Sequence, residues 1–282
     1  TKYENDELSL KHMIYSMVGD QKTAYVDEVC KQMLYRSKKI PLDTIFNIKF
    51  NNGVLINGEF VEIDDYKEFT PYYVELDYKP EAEPVEIVDN YVAQLTNNDE
   101  KYRDLLFEIL AHGLITDPEV KRSLAKFFIF VGDGGNGKGT LLSIIRSILN
   151  RENCSGLKIK QMSDERYAYS MDGKLVNLGD DIQDQPINGK DMEMLKNIST
   201  CDYVEIRKMF KNSTSAAMTT SLIFTSNHIL KSWEKGESYK RRVLWLPMYS
   251  KPKRKDPRFI TKLTTQKALE YWLRLIIEGY KR

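Results

Sequence analysis

The chain lacks the residues from which metal and disulfide sites are usually built. Its three cysteines, Cys30, Cys154 and Cys201, lie far apart and are odd in number. They form neither a zinc nor a redox spacing, and the pattern points to a reducing intracellular setting. The three histidines, His12, His112 and His228, are just as scattered, which speaks against a zinc site. No apolar run approaches the roughly 18 residues that span a bilayer, and no secretory signal opens the chain. A membrane partner is therefore not expected. An excess of one charge is missing too: 42 Lys and Arg against 41 Asp and Glu leave a net +1. A basic coat that would bind nucleic acid on its own is absent. Basic residues cluster only locally, at Lys121-Arg122, Arg207 to Lys211, Lys240 to Arg242 and Lys251 to Lys255. Such clusters are usually solvated faces.

What remains is a well-packed composition, 41% hydrophobic and 29% charged over 282 residues, enough for one large domain or two small ones. The first residue is Thr1 rather than Met, which reads as a fragment cut from a longer chain. Leu8, Leu10, Met13, Ile14 and Met17 share one helical face, and Val26, Val29, Met33 and Leu34 another. Short strands follow at Ile45 to Phe50, Val54 to Ile56 and Glu59 to Ile63, with turns at Asn52-Gly53 and Asn57-Gly58. Pro80 and Pro84, with acids between them, read as a linker. Helical periodicity returns over 85–115. From Phe127 onward the pattern is α/β, with buried strands at Phe127 to Val131, Leu175 to Leu178, Leu222 to Phe224 and Val243 to Leu246, and a closing helix over 267–280.

Three strand ends carry the chemistry. After Phe127 to Val131 comes Gly132-Asp133-Gly134-Gly135-Asn136-Gly137-Lys138-Gly139-Thr140. Glycines let backbone N–H groups curl around a phosphate, the following helix points its positive end at the same anion, and Lys138 reaches the β- and γ-phosphates. The Ser or Thr that usually follows the lysine is Gly139 here, and the hydroxyl comes one residue later at Thr140. The second strand end is Asp180-Asp181, roughly 40 residues after Lys138, a normal βαβ interval. Its first acid suits Mg²⁺ and its second the attacking water. The third is Thr225-Ser226-Asn227, whose amide can orient water beside a phosphate loop, followed by Lys240-Arg241-Arg242. An arginine there can reach a neighbouring subunit's γ-phosphate.

Phosphate loop, acid-ended strand, basic hairpin, Thr-Ser-Asn strand end and late arginine pair, in that order, resemble superfamily 3 helicases, the hexameric AAA+ motors of small viruses, phages and plasmids. The resemblance is closest to the helicase half of phage and plasmid primase-helicases, relatives of the poxvirus type. It covers most of the chain from about residue 45. It implies an α/β fold: an AAA+ P-loop NTPase core with a parallel sheet at 121–282, a helical linker or collar at 85–120, and a smaller mixed α+β and helical accessory region at 1–84. It implies ATP and Mg²⁺ as cofactors, with Thr140 and Asp180 as metal candidates. It implies phosphate binding by Lys138, metal and water handling by Asp180 and Asp181, γ-phosphate sensing by Asn227, and a finger acting in trans from Arg242 with Arg241. Such motors pass single-stranded DNA through the pore of a ring. The pore hairpin would be Val204 to Thr220, with Arg207, Lys208, Phe210 and Lys211 as its DNA contacts. A primase or polymerase domain would lie upstream of Thr1, and the setting would be the host cytoplasm, at replication forks.

Two other readings compete. The Gly-Lys-Gly-Thr string also occurs in nucleotide kinases, which need an acceptor site and an arginine-rich lid. A non-hydrolysing, DNA-binding replication module would keep a nucleotide for assembly alone. Asp64-Asp65 and the Glu75, Asp77 pair, the nearest carboxylates to a priming centre, read as turn or edge residues.

Overall fold

The computed structural model describes residues 7–19, 21–37, 46–63, 66, 68–182, 187–209, 212–228, 237–251 and 256–282, with residues 181 and 182 described by their backbone. Two helices lead, α1 (Glu7–Val18) and α2 (Thr23–Arg36). Four short strands follow, β1 (Ile48–Phe50), β2 (Gly53–Ile56), β3 (Glu59–Glu62) and β4 (Tyr72–Tyr73). Then come α3 (Glu86–Leu95), α4 (Glu100–Ala111) and α5 (Pro118–Leu124). The second half holds β5 (Phe127–Val131), α6 (Lys138–Leu149), β6 (Cys154–Ser155), α7 (Ile159–Met162), α8 (Glu165–Ala168) and β7 (Val176–Ile182). It continues with α9 (Gly189–Ser199), β8 (Tyr203–Ile206), β9 (Thr214–Ala217), β10 (Ser221–Ser226), α10 (Glu237–Lys240) and β11 (Val243–Pro247), and closes with α11 (Phe259–Leu263) and α12 (Gln266–Lys281).

The architecture is mixed α/β around a five-stranded, all-parallel sheet of order β11-β5-β10-β7-β6. That arrangement is compatible with a P-loop core. The continuous apolar run of β5 is explained by burial on both faces. Phe128 and Phe130 enter one core, with Ile145 and Leu142 of α6 and Trp272 of α12. Phe127 and Ile129 enter the other, with Met192 and Leu195 of α9 and Val204 of β8. The helix after the loop starts at Lys138 and ends at Leu149, as its spacing predicts.

The small sheet has order β3-β2-β1-β4, with β4 parallel to β1. Asn57-Gly58 makes the β2–β3 turn. The β1–β2 turn is Asn51-Asn52, one residue earlier than expected, because Gly53 already pairs with Phe50. Asp64 and Asp65 lie outside the described residues.

Three expectations change in the folded chain. The Pro80–Pro84 stretch is not a loose linker. Tyr78 and Ala82 are buried, Lys79 pairs with Glu270 of α12 at 2.8 Å, and Arg274 donates to the Ala82 carbonyl at 2.6 Å. The helices of 85–120 are built into the main core through Val88, Tyr91, Leu106 and Phe107, in the same cluster as Ile48 of β1 and Ile277 of α12. In the N-terminal pair, only Ile14, Val26 and Cys30 form a buried cluster. Leu8, Met17, Met33 and Leu34 stay exposed, since α1 and α2 pack chiefly on each other and two cylinders cover only a narrow stripe of each.

The close packing of α12 on α4 hangs on Gly279, where a Cβ would meet the Phe107 backbone at 2.7 Å. Gly279→Val should lower the unfolding free energy by about 1–3 kcal/mol through overpacking. Gly139→Ala, in α6 with nothing within 4 Å of its Cβ, should raise it by up to roughly 1 kcal/mol. Urea denaturation of the two variants beside the parent checks both signs.

Candidate functional site

The carboxyl ends of parallel strands are where open α/β sheets place ligands, and here three adjacent ends meet. β10 lies between β5 and β7, so the phosphate loop, the Thr-Ser-Asn end and the acid-ended strand are neighbours in space. Gly132 N donates to the Ser226 carbonyl at 3.1 Å, fastening the loop's start to the end of β10. The β10–β7 register shifts between Phe224 and Ser226. At that shift the Thr225 hydroxyl donates to Asp180 Oδ1 at 2.6 Å, which orients the carboxylate.

The loop is held by its own polar groups. Gly137 sits at φ +90, which an L side chain rarely adopts, and it immediately precedes α6 as its N-cap. Lys138 Nζ donates to the Gly132 carbonyl and to Asn136 Oδ1, the latter at 3.0 Å. Asn136 is buried and donates to the Met248 carbonyl at 3.1 Å. Tyr91 of α3 donates to the Gly137 carbonyl at 3.0 Å. These contacts hold the loop in one shape, with the lysine folded over it.

A cavity of about 1050 Å³ opens beside the loop, lined by Gly134 to Thr140 together with Asp180, Thr225 and Asn227. The expected loop residues Gly134, Gly135, Asn136, Gly137, Lys138, Gly139 and Thr140 thus share one cavity with the expected acid and amide. Gly132 lies at the loop's base rather than on that wall, and a Cβ there would come within 1.7 Å of Asn136 Nδ2. At Gly134, Gly135 and Gly139 a Cβ would meet nothing within 4 Å, which leaves the room an anion needs. Asp181 lies in β7, but its side chain is outside the described residues.

The arginine pair is divided. Arg242 is buried, and its Nη1 donates to the Ser238 carbonyl and hydroxyl at 2.8 and 2.7 Å. Arg241 is exposed.

β8 and β9 form the expected antiparallel hairpin, with Ile206 opposite Thr214 at its far end. Phe210 and Lys211 lie outside the described residues. Lys208 and Met209 are exposed. Arg207 meets Glu165 of α8 at 2.9 Å, and Ser213 donates to the same carboxylate at 2.7 Å. The root of the hairpin is clamped by α5. Arg122 donates to the carbonyls of Thr200 and Cys201 at 2.9 and 3.2 Å, and Lys121 Nζ donates to the Thr219 carbonyl. The solvated face expected of Lys121-Arg122 is therefore wrong for Lys121, which is 1% exposed because α5 lies against the hairpin root. Burial pushes its ammonium down to about 7.

Residues the sequence did not single out complete the cavity: Ile87, Tyr91 and Gln94 from α3, with Ser250, Asp256, Pro257, Phe259 and Ile260 from the stretch into α11. Their signal in the sequence is ordinary helical periodicity, which marks a buried face and not a ligand.

The family described as "Family of unknown function (DUF5906)" matches residues 130–242, the stretch from β5 to the arginine pair. No curated protein matches. Solved structures of the apo NrS-1 C-terminal region do match. One, of residues 305–718, has a TM-score of 0.61 over 98% of this chain and 63% of its own, at 16% identity. The A form of that region has a TM-score of 0.59 over 94% of this chain and 60% of its own, again at 16% identity. A second A-form structure matches 73% of this chain with a TM-score of 0.54 and 18% identity. This chain thus spans about three-fifths of the length of the first two. At such identity the likeness is one of fold.

The Lys121 environment makes a signed prediction. Its folded value of about 7 is depressed from the ordinary 10.5. Between those values the unfolded chain binds a proton that the folded chain does not, so stability rises with pH there, by up to about 1.4 kcal/mol per pH unit. Lys121→Met should flatten that rise. Denaturant midpoints measured from pH 7 to pH 10 on both proteins check it, and an unchanged slope would refute it.

Proposed function

We propose that this chain is the ATP-driven motor of a DNA replication protein, a superfamily 3 type AAA+ helicase that moves single-stranded DNA through a ring of its own copies. The observation that carries the reading is the meeting of Lys138, Asp180 and Asn227 at one cavity, from the ends of three neighbouring strands. The fold likeness to the NrS-1 C-terminal region supports it. So does a β8–β9 hairpin leading directly into β10, the strand that ends at Asn227.

The donor set fits a nucleoside triphosphate with Mg²⁺. Backbone N–H groups of 134–140 at the start of α6 suit the phosphates. Lys138 would exchange its contacts with Gly132 and Asn136 for phosphate oxygens. Among the described residues no group of three His, Cys, Asp or Glu could hold a metal by itself. Mg²⁺ needs no such group, because it binds through one or two carboxylates, waters and phosphate oxygens. Asp180 would supply the carboxylate and Thr140 a hydroxyl. Bound there, the ion neutralises charge developing on the phosphates. Asp181 would accept the proton of the attacking water, and Asn227 would orient that water. The same residues would serve a nucleotide kinase, but hydrolysis stimulated by DNA separates the two readings.

A ring makes hydrolysis depend on a neighbour's arginine. Since Arg242 is bound to Ser238 within its own subunit, exposed Arg241 fits the trans role better. On the hairpin, exposed Lys208 would grip the DNA backbone together with Phe210 and Lys211, while Arg207 would hold the hairpin to Glu165 before it touched DNA. An upstream primase or polymerase domain and a cytoplasmic site of action complete the proposal.

Lys138→Ala should abolish most ATP turnover, with and without single-stranded DNA, while the melting temperature holds. Normal turnover in that variant would sink the motor reading. Arg241→Ala should bind ATP yet hydrolyse it slowly, by roughly 10³-fold. Mixed with Lys138→Ala subunits it should regain activity, at interfaces that pair an intact loop with an intact arginine. Turnover assays of each variant and of the mixture decide the point; no recovery on mixing would remove the trans arginine.

A further inference from the structure

The cavity beside the phosphate loop changes character along its length. At one end stand the loop, Asp180, Thr225 and Asn227. The lining continues with Ile87, Tyr91 and Gln94 of α3 and with Pro257, Phe259 and Ile260 at the start of α11, where Tyr91 and Phe259 adjoin. Its volume of about 1050 Å³ is more than a triphosphate fills. Ile260 is 42% exposed, and Ile87 and Phe259 are only half-buried. Apolar side chains left open on a cleft wall that adjoins an anion site suit a flat group carried by that anion. The wall is also fixed in distance from the phosphates. Tyr91 packs edge-on against Phe259 with centroids 5.6 Å apart, and its hydroxyl bonds the Gly137 carbonyl.

We propose that the α3–α11 wall is a nucleobase site and that Gln94 sets its preference for adenine over guanine. This rests on the nucleotide-hydrolysing reading above. An amide presents a donor and an acceptor side by side, the complement of adenine's amino group and adjacent ring nitrogen. Guanine's distinguishing edge carries two donors and calls for a carboxylate. The cavity has two described carboxylates, and both are committed elsewhere. Asp256 Oδ1 accepts from Arg258 N at 2.9 Å and its Oδ2 from Lys262 at 2.7 Å. Asp180 stands at the phosphate end, bonded to Thr225. Gln94 is exposed at the cavity wall, and among the described lining residues the other side-chain amides, Asn136 and Asn227, belong to the phosphate loop and the end of β10.

The test uses the whole chain with Mg²⁺ and three probes: ATP, GTP and inorganic triphosphate, with dissociation constants from calorimetry. The parent should bind ATP about tenfold or more tighter than GTP, and tighter than inorganic triphosphate. Gln94→Ala should bring ATP and GTP to within about threefold of each other, leaving inorganic triphosphate unchanged. Ile260→Asp should weaken ATP about tenfold with no change for inorganic triphosphate. Both positions are exposed, so folding should survive, and a melting curve verifies it. The nucleobase site is overturned if the parent binds inorganic triphosphate as tightly as ATP, or if Ile260→Asp weakens both alike. The role of Gln94 is overturned if its variant keeps the parent's preference for ATP. Failure of the nucleotide reading itself has a different signature: no probe binds, or Lys138→Ala binds all three as the parent does.

Discussion

The phosphate loop, Asp180 and Asn227 are positioned relative to one another through β10. All six of its residues are buried, and it pairs in parallel with β5 on one side and β7 on the other. Its carbonyl at Ser226 accepts from the first amide of the phosphate loop, and its Thr225 hydroxyl donates to the Asp180 carboxylate. A strand fixed on both edges has almost no freedom to translate. The loop, the acid and the amide therefore keep a common frame set by backbone hydrogen bonds, and the side chains need only local contacts to be aimed. The shift in register at Thr225 is a small departure from that ladder, and it falls where a side chain has to turn toward its neighbour.

The charges follow a second constraint. With a net charge of +1 the chain has little excess cation, and several of its cationic side chains are used internally. Lys121 and Arg122 hold the root of the β8–β9 hairpin, Arg207 holds its far end to Glu165, Lys79 and Arg274 hold the 79–82 strap onto α12, and Arg242 closes on Ser238. Carbonyls in buried places need a hydrogen-bond donor, and long cationic side chains can deliver one across an element boundary. The result is a hairpin anchored at both ends, with Lys208 and Met209 left exposed after β8.

Local chemistry was legible in the sequence, and long-range chemistry was not. Strand β5, the loop and α6 could be read to the residue, since glycines, an apolar run and one lysine announce them within 14 positions (127 to 140). Asp180 and Asn227 were legible for the same reason: apolar runs give way abruptly to polar residues, although β7 runs on through both acids to Ile182. Their closeness was not, for it depends on a strand order that places β10 between its neighbours. The far wall of the cavity was invisible. Ile87 and Phe259 come from opposite parts of the chain and carry only helix-like periodicity. The partners of Lys121 and Arg207 are equally remote, so a buried anchor and an ion pair both look like surface charge in one dimension. β6, two residues long, offers no periodicity at all.

The α1–α2 pair carries a thermodynamic consequence of its own. Two helices of 12 and 14 residues joined by a cluster of three buried side chains bury little apolar surface for the backbone they order. Helices of that length are marginal in water alone, and most of their stability must come from packing. The pair should open at a free energy well below that of the β10-centred core. Its amide protons would then exchange by local opening, while those of β5 and β10 wait for global unfolding. Heat or denaturant would accordingly draw two transitions from one chain, and a single unfolding free energy would describe only the second.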